Sequence, residues 1–265
     1  MGAEKLMLLT GETALSGAVP LFDGLEDTLI QTALEGEMGS VWRCAGDGQP
    51  VAAFCMTGDF VFPAGDAEAP EALLLLEGLR EQLDGRFAIL TPPNELWSSR
   101  IRQVFGDRAK AGERYAIHRQ KAFDTEKLTG FVSRLPKGVT LEPIAGRVYD
   151  LVMAEWWSRD FCSSFLGKED FARRGLGVAA LYNGELIGGA SSYICFRGGI
   201  ELEVDTREDW RRKGIATACC ARLILTCMEK DLIPGWDAAN RESVALAEKL
   251  GYRERGAYPV WFVNE

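Results

Sequence analysis

The stretch IELEVDTREDWRRKGIATACCARLILTCMEK, residues 200–230, constrains the fold of this chain more than any other segment. Its first residues alternate apolar and acidic side chains, which predicts a strand at 200–205. Apolar residues at three- and four-residue spacing then predict a helix at 214–230, ahead of Pro234. A basic turn that contains a glycine joins the two elements, so the segment predicts a strand–turn–helix unit.

This turn has the chemistry of an anion site. A helix start exposes unpaired N–H groups and about half a positive charge, which suit a pyrophosphate. Gly214 can adopt a positive φ, while its neighbours add cationic charge or stay small enough for a ligand to approach. The candidate binding residues are Arg211, Arg212, Lys213, Gly214, Ile215, Ala216 and Thr217. A basic helix start also arises by chance, so the turn alone leaves both interpretations open.

Three carboxylates share one face of the predicted strand. Side chains alternate along a strand, so Glu201, Glu203 and Asp205 point one way while residues 200, 202 and 204 point the other. An amine with a pKa of about 10 must lose a proton before it attacks a carbonyl, and a nearby carboxylate can act as the general base. Glu201 and Glu203 are therefore candidate catalytic residues. The alternative is a solvated acidic face on an exposed sheet.

The chain divides into two α/β halves. A charged segment that ends in a proline turn, residues 121–138, predicts a linker that holds one short helix. We therefore expect two domains, 1–124 and 125–265. In the first, alternation and periodicity predict strands at 41–44, 51–62, 87–90 and 114–118, and helices at 70–83 and 96–105. In the second they add strands at 139–143, 177–182, 185–193, 235–238 and 258–263, and helices at 145–157 and 242–250; Asn183-Gly184 marks a hairpin.

The two halves resemble each other near their ends. LREQLDGRFAILTPPNELWSSRIRQVFG (79–106) matches CMEKDLIPGWDAANRESVALAEKLG (227–251), with Asn94 opposite Asn240 and Gly106 within one residue of Gly251. Where the second half has RRKGIAT, the first has the acidic AGDAEAPEA (64–72). Acidic side chains repel a pyrophosphate, so only the second copy is expected to bind one.

The motifs of the second half resemble those of GNAT acetyltransferases. Residues 211–216 are similar to the R/Q-x-x-G-x-G/A signature of that family, and WDAANRESVALAEKLGY (236–252) is similar to its closing motif. FLGKEDF (165–171), with the Glu201-x-Glu203 strand, further resembles the zwittermicin A resistance acetyltransferases within the family. The resemblance implies an α/β (α+β) fold of two GNAT-like mixed-sheet domains in tandem, of which the N-terminal one is degenerate.

The same resemblance implies acetyl-CoA as the cofactor, with its pyrophosphate on the basic turn and its pantetheine arm between two splayed strands. Val204 and Thr206 would contact that arm through the main chain, although an ordinary buried strand end has the same residue types. Asn240 would hydrogen-bond to the arm or cap a helix, and Ser243 is a weaker contact. The implied reaction is direct attack of a primary amine, of a small molecule or a peptide, on acetyl-CoA in a ternary complex. The alternative function is a non-catalytic acyl-CoA sensor or scaffold.

The sequence departs from the family at the general acid. Many members carry a tyrosine four residues before the closing glycine, where this chain has Ala247. Tyr252 fits the aromatic core position of the motif better than a catalytic one. Water, Tyr258 or no side chain would then protonate the leaving thiolate.

Composition excludes several other classes of function. The net charge of −9, without a dense run of Lys or Arg, argues against nucleic acid and anionic membranes as partners. Seven cysteines without a CxxC pair, with the single histidine His118, offer no zinc spacing and no hydrolase triad. A start without a basic, apolar leader and the lack of a long apolar run predict a cytoplasmic protein.

Overall fold

A computed structural model describes residues 6–45 and 48–263 and divides them into two compact units. Unit 1 comprises the described residues up to Arg114 together with those from Ala257 onward, and unit 2 is Tyr115–Gly256. This division differs from the expected boundary after residue 124. Most of the last strand, from Ala257 onward, belongs to unit 1, where Trp261 pairs with Leu90, a residue far from it in sequence.

Unit 1 is a sheet covered by helices. Its elements are β1 (Leu6–Leu9), α1 (Glu12–Ala18), α2 (Thr28–Leu34), β2 (Ser40–Cys44), β3 (Ala52–Thr57), β4 (Phe60–Gly65), α3 (Pro70–Leu83), β5 (Ala88–Leu90), α4 (Glu95–Phe105) and the start of β6 (Ala109–Ile117). The strand predicted at 51–62 is in fact two strands, since the chain turns back at Gly58 and Thr57 pairs with Phe60. Gly58 and Asp59, both common turn residues, mark this position within an otherwise mostly apolar stretch. Leu75, Leu79 and Trp97 are fully buried between helices and sheet.

Unit 2 holds the strand–turn–helix segment of residues 200–230. Its elements are α5 (Thr125–Ser133), β7 (Val139–Pro143), α6 (Gly146–Ala154), α7 (Lys168–Arg174), β8 (Gly177–Tyr182), β9 (Glu185–Phe196), β10 (Gly199–Thr206), α8 (Ile215–Glu229), β11 (Ile233–Gly235), β12 (Asp237–Ala238), α9 (Arg241–Leu250) and the start of β13 (Glu254–Val263). Five strands form one sheet in the order β11-β10-β9-β8-β7. Its pairs are antiparallel except β10–β11, which is parallel.

Helix α8 packs into the core of unit 2 along most of its length. Cys219, Cys220 and Leu223 are fully buried there, and Leu128 of α5 joins the same cluster. The segment predicted as a linker is thus partly core, because α5 buries Leu128. The expected hairpin is confirmed: Asn183 and Gly184 both have positive φ, of 51° and 82°, as a two-residue turn of this type requires.

The internal repeat is visible in the caps of two helices. Asn94 caps α4 and accepts from the Trp97 N–H at 3.0 Å, while Asn240 caps α9 and accepts from the Ser243 N–H at 2.9 Å. Their backbone angles agree closely, φ −159° and −163° with ψ 175° in both. A glycine with positive φ ends each helix, Gly106 and Gly251.

Candidate functional site

Strands β10 and β11 begin side by side and then separate. Their parallel pairing runs from Gly199↔Ile233 to Glu201↔Gly235. Beyond that point β10 continues to Thr206, whereas the other chain segment enters β12 and pairs with the end of β6 instead. The strand predicted at 235–238 is therefore split between two sheets. The result is an open edge along the second half of β10.

The N–H groups of this open edge are satisfied by acidic side chains. The Val204 N–H donates to Glu203 Oε1 at 3.1 Å, and the Thr206 N–H donates to Asp205 Oδ1 at 2.6 Å. Each carboxylate belongs to the residue just before the donor, so these bonds need no neighbouring strand. An extended ligand that lies beside β10 could accept hydrogen bonds from the same N–H groups in place of the carboxylates.

Helix α8 follows this edge after the basic turn, and it lacks a side-chain cap. Gly214 lies in the left-handed region, at φ 84° and ψ 4°, and no side chain of the described residues caps the helix. The Gly214 carbonyl accepts the first helical bond, from the Ala218 N–H. A Cβ built at Gly214 would meet no described atom within 4 Å. The first-turn N–H groups thus lack intrahelical partners and face an open approach.

Thr206 provides an independent sign of a ligand at this place. Its side chain is 6% exposed, yet its hydroxyl has no hydrogen-bond partner in the part of the chain that the structure describes. Buried polar groups normally find a partner. Gly188 lies opposite, where an added Cβ would come within 3.2 Å of the Thr206 hydroxyl and 2.7 Å of Ile215 Cγ2. Glycine therefore keeps the space beside the hydroxyl clear.

The three basic residues of the turn differ in what they contact. Arg211 Nε donates to the Thr206 carbonyl at 3.1 Å, and its guanidinium lies 3.6 Å from Asp205 Oδ1. Lys213 Nζ donates to the Asp209 carbonyl at 2.8 Å and lies over the Trp210 ring. Arg212 is exposed, with a φ of 62°, and forms no ion pair among the described residues. Arg211 thus also stabilises the turn itself.

A further cation was missed in the sequence. Lys249 on α9 lies over the Phe131 ring, and its Nζ donates to Thr217 Oγ1 in the first turn of α8 at 3.3 Å. Lys249 is far from the basic turn in sequence, and no spacing rule connects the two. Only the packing of α9 beside α8 brings this charge to the helix start.

The two candidate base residues have different surroundings. Glu201 is 7% exposed, and its carboxylate lies against Gly235, where a Cβ would fall only 2.3 Å from Oε1. Glu203 is half-buried farther along the open edge. Leu202 and Val204, which alternate with these residues, pack against the core. The carboxylates therefore lie on the opposite face of the strand.

The residues of α9 and its flanks have structural partners. Asn240 caps the helix, and Ser243 Oγ accepts from Trp236 Nε1 at 3.1 Å. Ala247 is fully buried. The Tyr252 hydroxyl donates to the Pro234 carbonyl at 2.8 Å, and burial raises the pKa of Tyr252 well above its ordinary value. Tyr252 is thus a core residue, as expected, and unsuited to proton donation.

Other kinds of site find no support in the described residues. No group of His, Cys, Asp and Glu side chains there is arranged to hold a metal ion. Five of the seven cysteines are buried, and burial raises the pKa of Cys219 to about 12, so this thiol is not nucleophilic. No described helix combines the length and the apolar character that a membrane crossing requires.

Comparisons with known proteins agree with this geometry. A family described as GNAT acetyltransferase matches residues 19–261. A GCN5-related N-acetyltransferase-like protein from Streptococcus suis is 37% identical, with a TM-score of 0.86 over 96% of this chain and 100% of that one. The uncharacterized N-acetyltransferase YdfB from Bacillus subtilis is 26% identical over 186 residues, which are 67% of this chain and 66% of YdfB.

A tandem GNAT protein from the clavulanic acid biosynthesis pathway shares the fold, with a TM-score of 0.56, 12% identity and 98% coverage of both chains. Two mixed sheets, each with its helices, are present in the chain described above. The expected fold class, GNAT-like mixed-sheet domains in tandem, is therefore confirmed.

Proposed function

Because this chain belongs to the GNAT acetyltransferase family, we propose that it transfers an acetyl group from acetyl-CoA to a primary amine of a small molecule or peptide. The amine attacks directly while both substrates are bound. The resemblance to the zwittermicin A resistance subfamily is part of this proposal.

One observation carries the proposal: an uncapped helix start, an open strand edge and a buried hydroxyl without a partner meet in one place. Gly214 opens the first turn of α8 to solvent, and Thr206 ends β10 just before the turn. The first-turn N–H groups suit phosphate oxygens, and the Thr206 hydroxyl can complete its hydrogen bonding with a ligand. The residues present therefore fit coenzyme A.

The cofactor-binding residues follow from this arrangement. Ile215, Ala216 and Thr217 would offer N–H groups to the pyrophosphate, supported by the charges of the basic turn and of Lys249. An extended arm beside β10 would take over the N–H groups of Val204 and Thr206 and release the carboxylates of Glu203 and Asp205. Asn240 and Ser243 flank the other side of the separation, on the segment that leaves β11.

The chemistry needs a proton acceptor near the amine. When bound, acetyl-CoA supplies the acyl group as a reactive thioester. Glu203, half-buried on the acidic face, would take the proton of the attacking ammonium, directly or through water. Glu201, buried against Gly235, would add negative charge beside it. The same face attracts a cationic acceptor. Ala247 of α9 carries no acidic group, and the hydroxyl of Tyr252, just after α9, is engaged with the Pro234 carbonyl, so neither residue would protonate the thiolate.

The decisive experiment is turnover of acetyl-CoA with a panel of amines, followed by thiol release. Glu203→Gln should lower kcat by about 10²- to 10⁴-fold and leave the affinity for acetyl-CoA within about twofold, since a lost general base affects the chemical step. Glu201→Gln tests the second carboxylate in the same assay. Glu229→Gln, on the exposed end of α8, is the matched control and should behave as wild type.

The outcomes separate the possibilities clearly. Equal turnover in Glu203→Gln and wild type would show that Glu203 is not the general base. Acetyl-CoA binding without thiol release for any amine of a broad panel would favour the sensor or scaffold function instead. An absence of acetyl-CoA binding to folded protein would overturn the proposed function itself.

A further inference from the structure

Unit 2 contains a cavity of about 620 Å³, bounded by α5, β7, α7, β8 and α8. Its walls are apolar and include Leu135, Leu141, Phe171, Leu176 and Leu223. The volume lies within the range of small-molecule binding sites. We call it the α8 pocket.

The α8 pocket is separate from the proposed cofactor site. It faces the second half of α8 through Arg222, Thr226 and Lys230, which are four residues apart and so share one side of the helix. A helix rises 1.5 Å per residue, so Thr226 lies about 16 Å along the axis from Ile215 at the helix start. None of the residues assigned to acetyl-CoA lines this cavity.

Several apolar side chains here remain half-buried although the chain folds around them. Val132, Leu135, Leu141 and Leu176 line the cavity and are only partly covered by neighbouring residues. Apolar surface gains by leaving water, so an apolar ligand would cover what the protein leaves open. A ligand body that is a chain or ring of carbon atoms meets this requirement.

The charged side chains at the cavity determine which charge a ligand should carry. Arg222 and Lys230 are both exposed and form no ion pair in the described part of the chain. Glu142 is the acidic residue of the lining, which leaves one net positive charge. Thr226 is neutral, and its hydroxyl donates to the Arg222 carbonyl. The negative end of the α8 dipole lies near Lys230, so Arg222, two turns earlier, is the stronger anchor.

We propose that the α8 pocket binds an amphipathic anion with an apolar body and a single carboxylate. The body would lie against the half-buried aliphatic side chains, and the carboxylate would lie at Arg222 with Lys230 beside it. This proposal does not depend on the acetyltransferase function.

The test is calorimetric titration of the intact protein with decanoate, and with decylamine and decanol as probes of charge. Decanoate should bind saturably at one site per chain, about tenfold or more tighter than decylamine, as a charge-assisted contact to Arg222 implies. Arg222→Glu should lower the affinity for decanoate by a similar factor, and Thr226→Trp should abolish decanoate binding by filling the cavity. Arg197→Glu, another exposed arginine without an ion pair among the described residues, is the matched control and should bind decanoate normally.

The far-UV circular dichroism spectrum and the melting temperature of each variant should match those of the wild type and show that it is folded. Equal affinity for decanoate and decylamine, or no saturable binding of either, would overturn the proposal. The proposal would also be overturned if the wild-type protein self-associates and Thr226→Trp makes it monomeric. In that case a second copy of the chain, and not a small anion, would occupy the α8 pocket.

Discussion

Helices α3 and α8 occupy matching places in the two halves of the chain, yet they begin differently. Helix α8 starts after a positive-φ Gly214 and three basic residues. Helix α3 starts with Pro70 and Glu71, after a turn in which Asp66 accepts from the Glu68 N–H. The first arrangement suits a phosphate, whereas the second places negative charge where a phosphate would lie.

The next helix of each half sharpens the contrast. Three residues after the capping asparagine, α4 has Trp97 and α9 has Ser243. Trp97 is fully buried and its Nε1 donates to the Gly65 carbonyl at 3.1 Å, so the side chain fills the space beyond the end of β4. Ser243 is small and partly exposed. Unit 1 thus has additional core at the place where unit 2 leaves room for the proposed ligand.

Trp97→Ala should have the largest effect, on stability alone. Removing a fully buried tryptophan should lower the free energy of unfolding by about 3–5 kcal/mol, and no second acetyl-CoA site should appear, since Asp66 and Glu68 remain. Urea denaturation and a binding titration measure both quantities. Trp156→Ala, at a tryptophan that is 82% exposed, is the control and should be nearly neutral. Two acetyl-CoA molecules per chain would contradict the view of unit 1 as degenerate.

Gly214→Asp should lower acetyl-CoA affinity by about 100-fold or more, because it places a negative charge at the uncapped helix start. Calorimetry on the folded variant measures the loss. Gly214→Asn tolerates the same backbone conformation without the charge and should lose much less. Gly198→Asp, at a positive-φ glycine that also has open space around it, should bind normally. Unchanged affinity in Gly214→Asp would remove the cofactor assignment.

Ser243→Trp gives unit 2 the residue that unit 1 has at the matching place. The indole should fill part of the gap between β10 and β12. It should lower the affinity for acetyl-CoA by roughly tenfold, as overpacking of a fitted site does. Affinity from titration and the melting temperature together separate a blocked site from a damaged fold. Ser133→Trp, at an exposed serine of α5, serves as the control. Normal acetyl-CoA affinity would show that the ligand does not pass along α9.

Lys249→Gln should have the smallest effect and again imitates unit 1, which has Gln103 nine residues after its capping asparagine. Loss of one exposed charge near a helix start should lower the affinity for acetyl-CoA by about two- to fivefold. The difference from wild type should shrink at high salt, because exposed charges are screened. Lys249→Arg should retain the affinity. A salt-independent loss would indicate that Lys249 acts through packing on Phe131.

Much of the fold was predictable because its signals are local. Helix 70–83, strand 139–143 and the Asn183-Gly184 hairpin were predicted at or close to their observed bounds. Helices α1, α2 and α7 were missed, since each is seven residues long and has too few turns to show a period. The domain boundary also differed, since strand β13 pairs with residues far away in sequence.

The sequence by itself determined the positive φ of Gly214, the charge around it and the acidic face of β10, because each depends on a few adjacent residues. Only the tertiary structure decided that β11 leaves β10 after Gly235, that the Thr206 hydroxyl is buried without a partner among the described residues, and that Lys249 reaches Thr217. Those features arise where segments distant in the chain pack together. Local patterns specify dihedral angles and side-chain alternation, but strand pairing and burial depend on which distant surfaces fit.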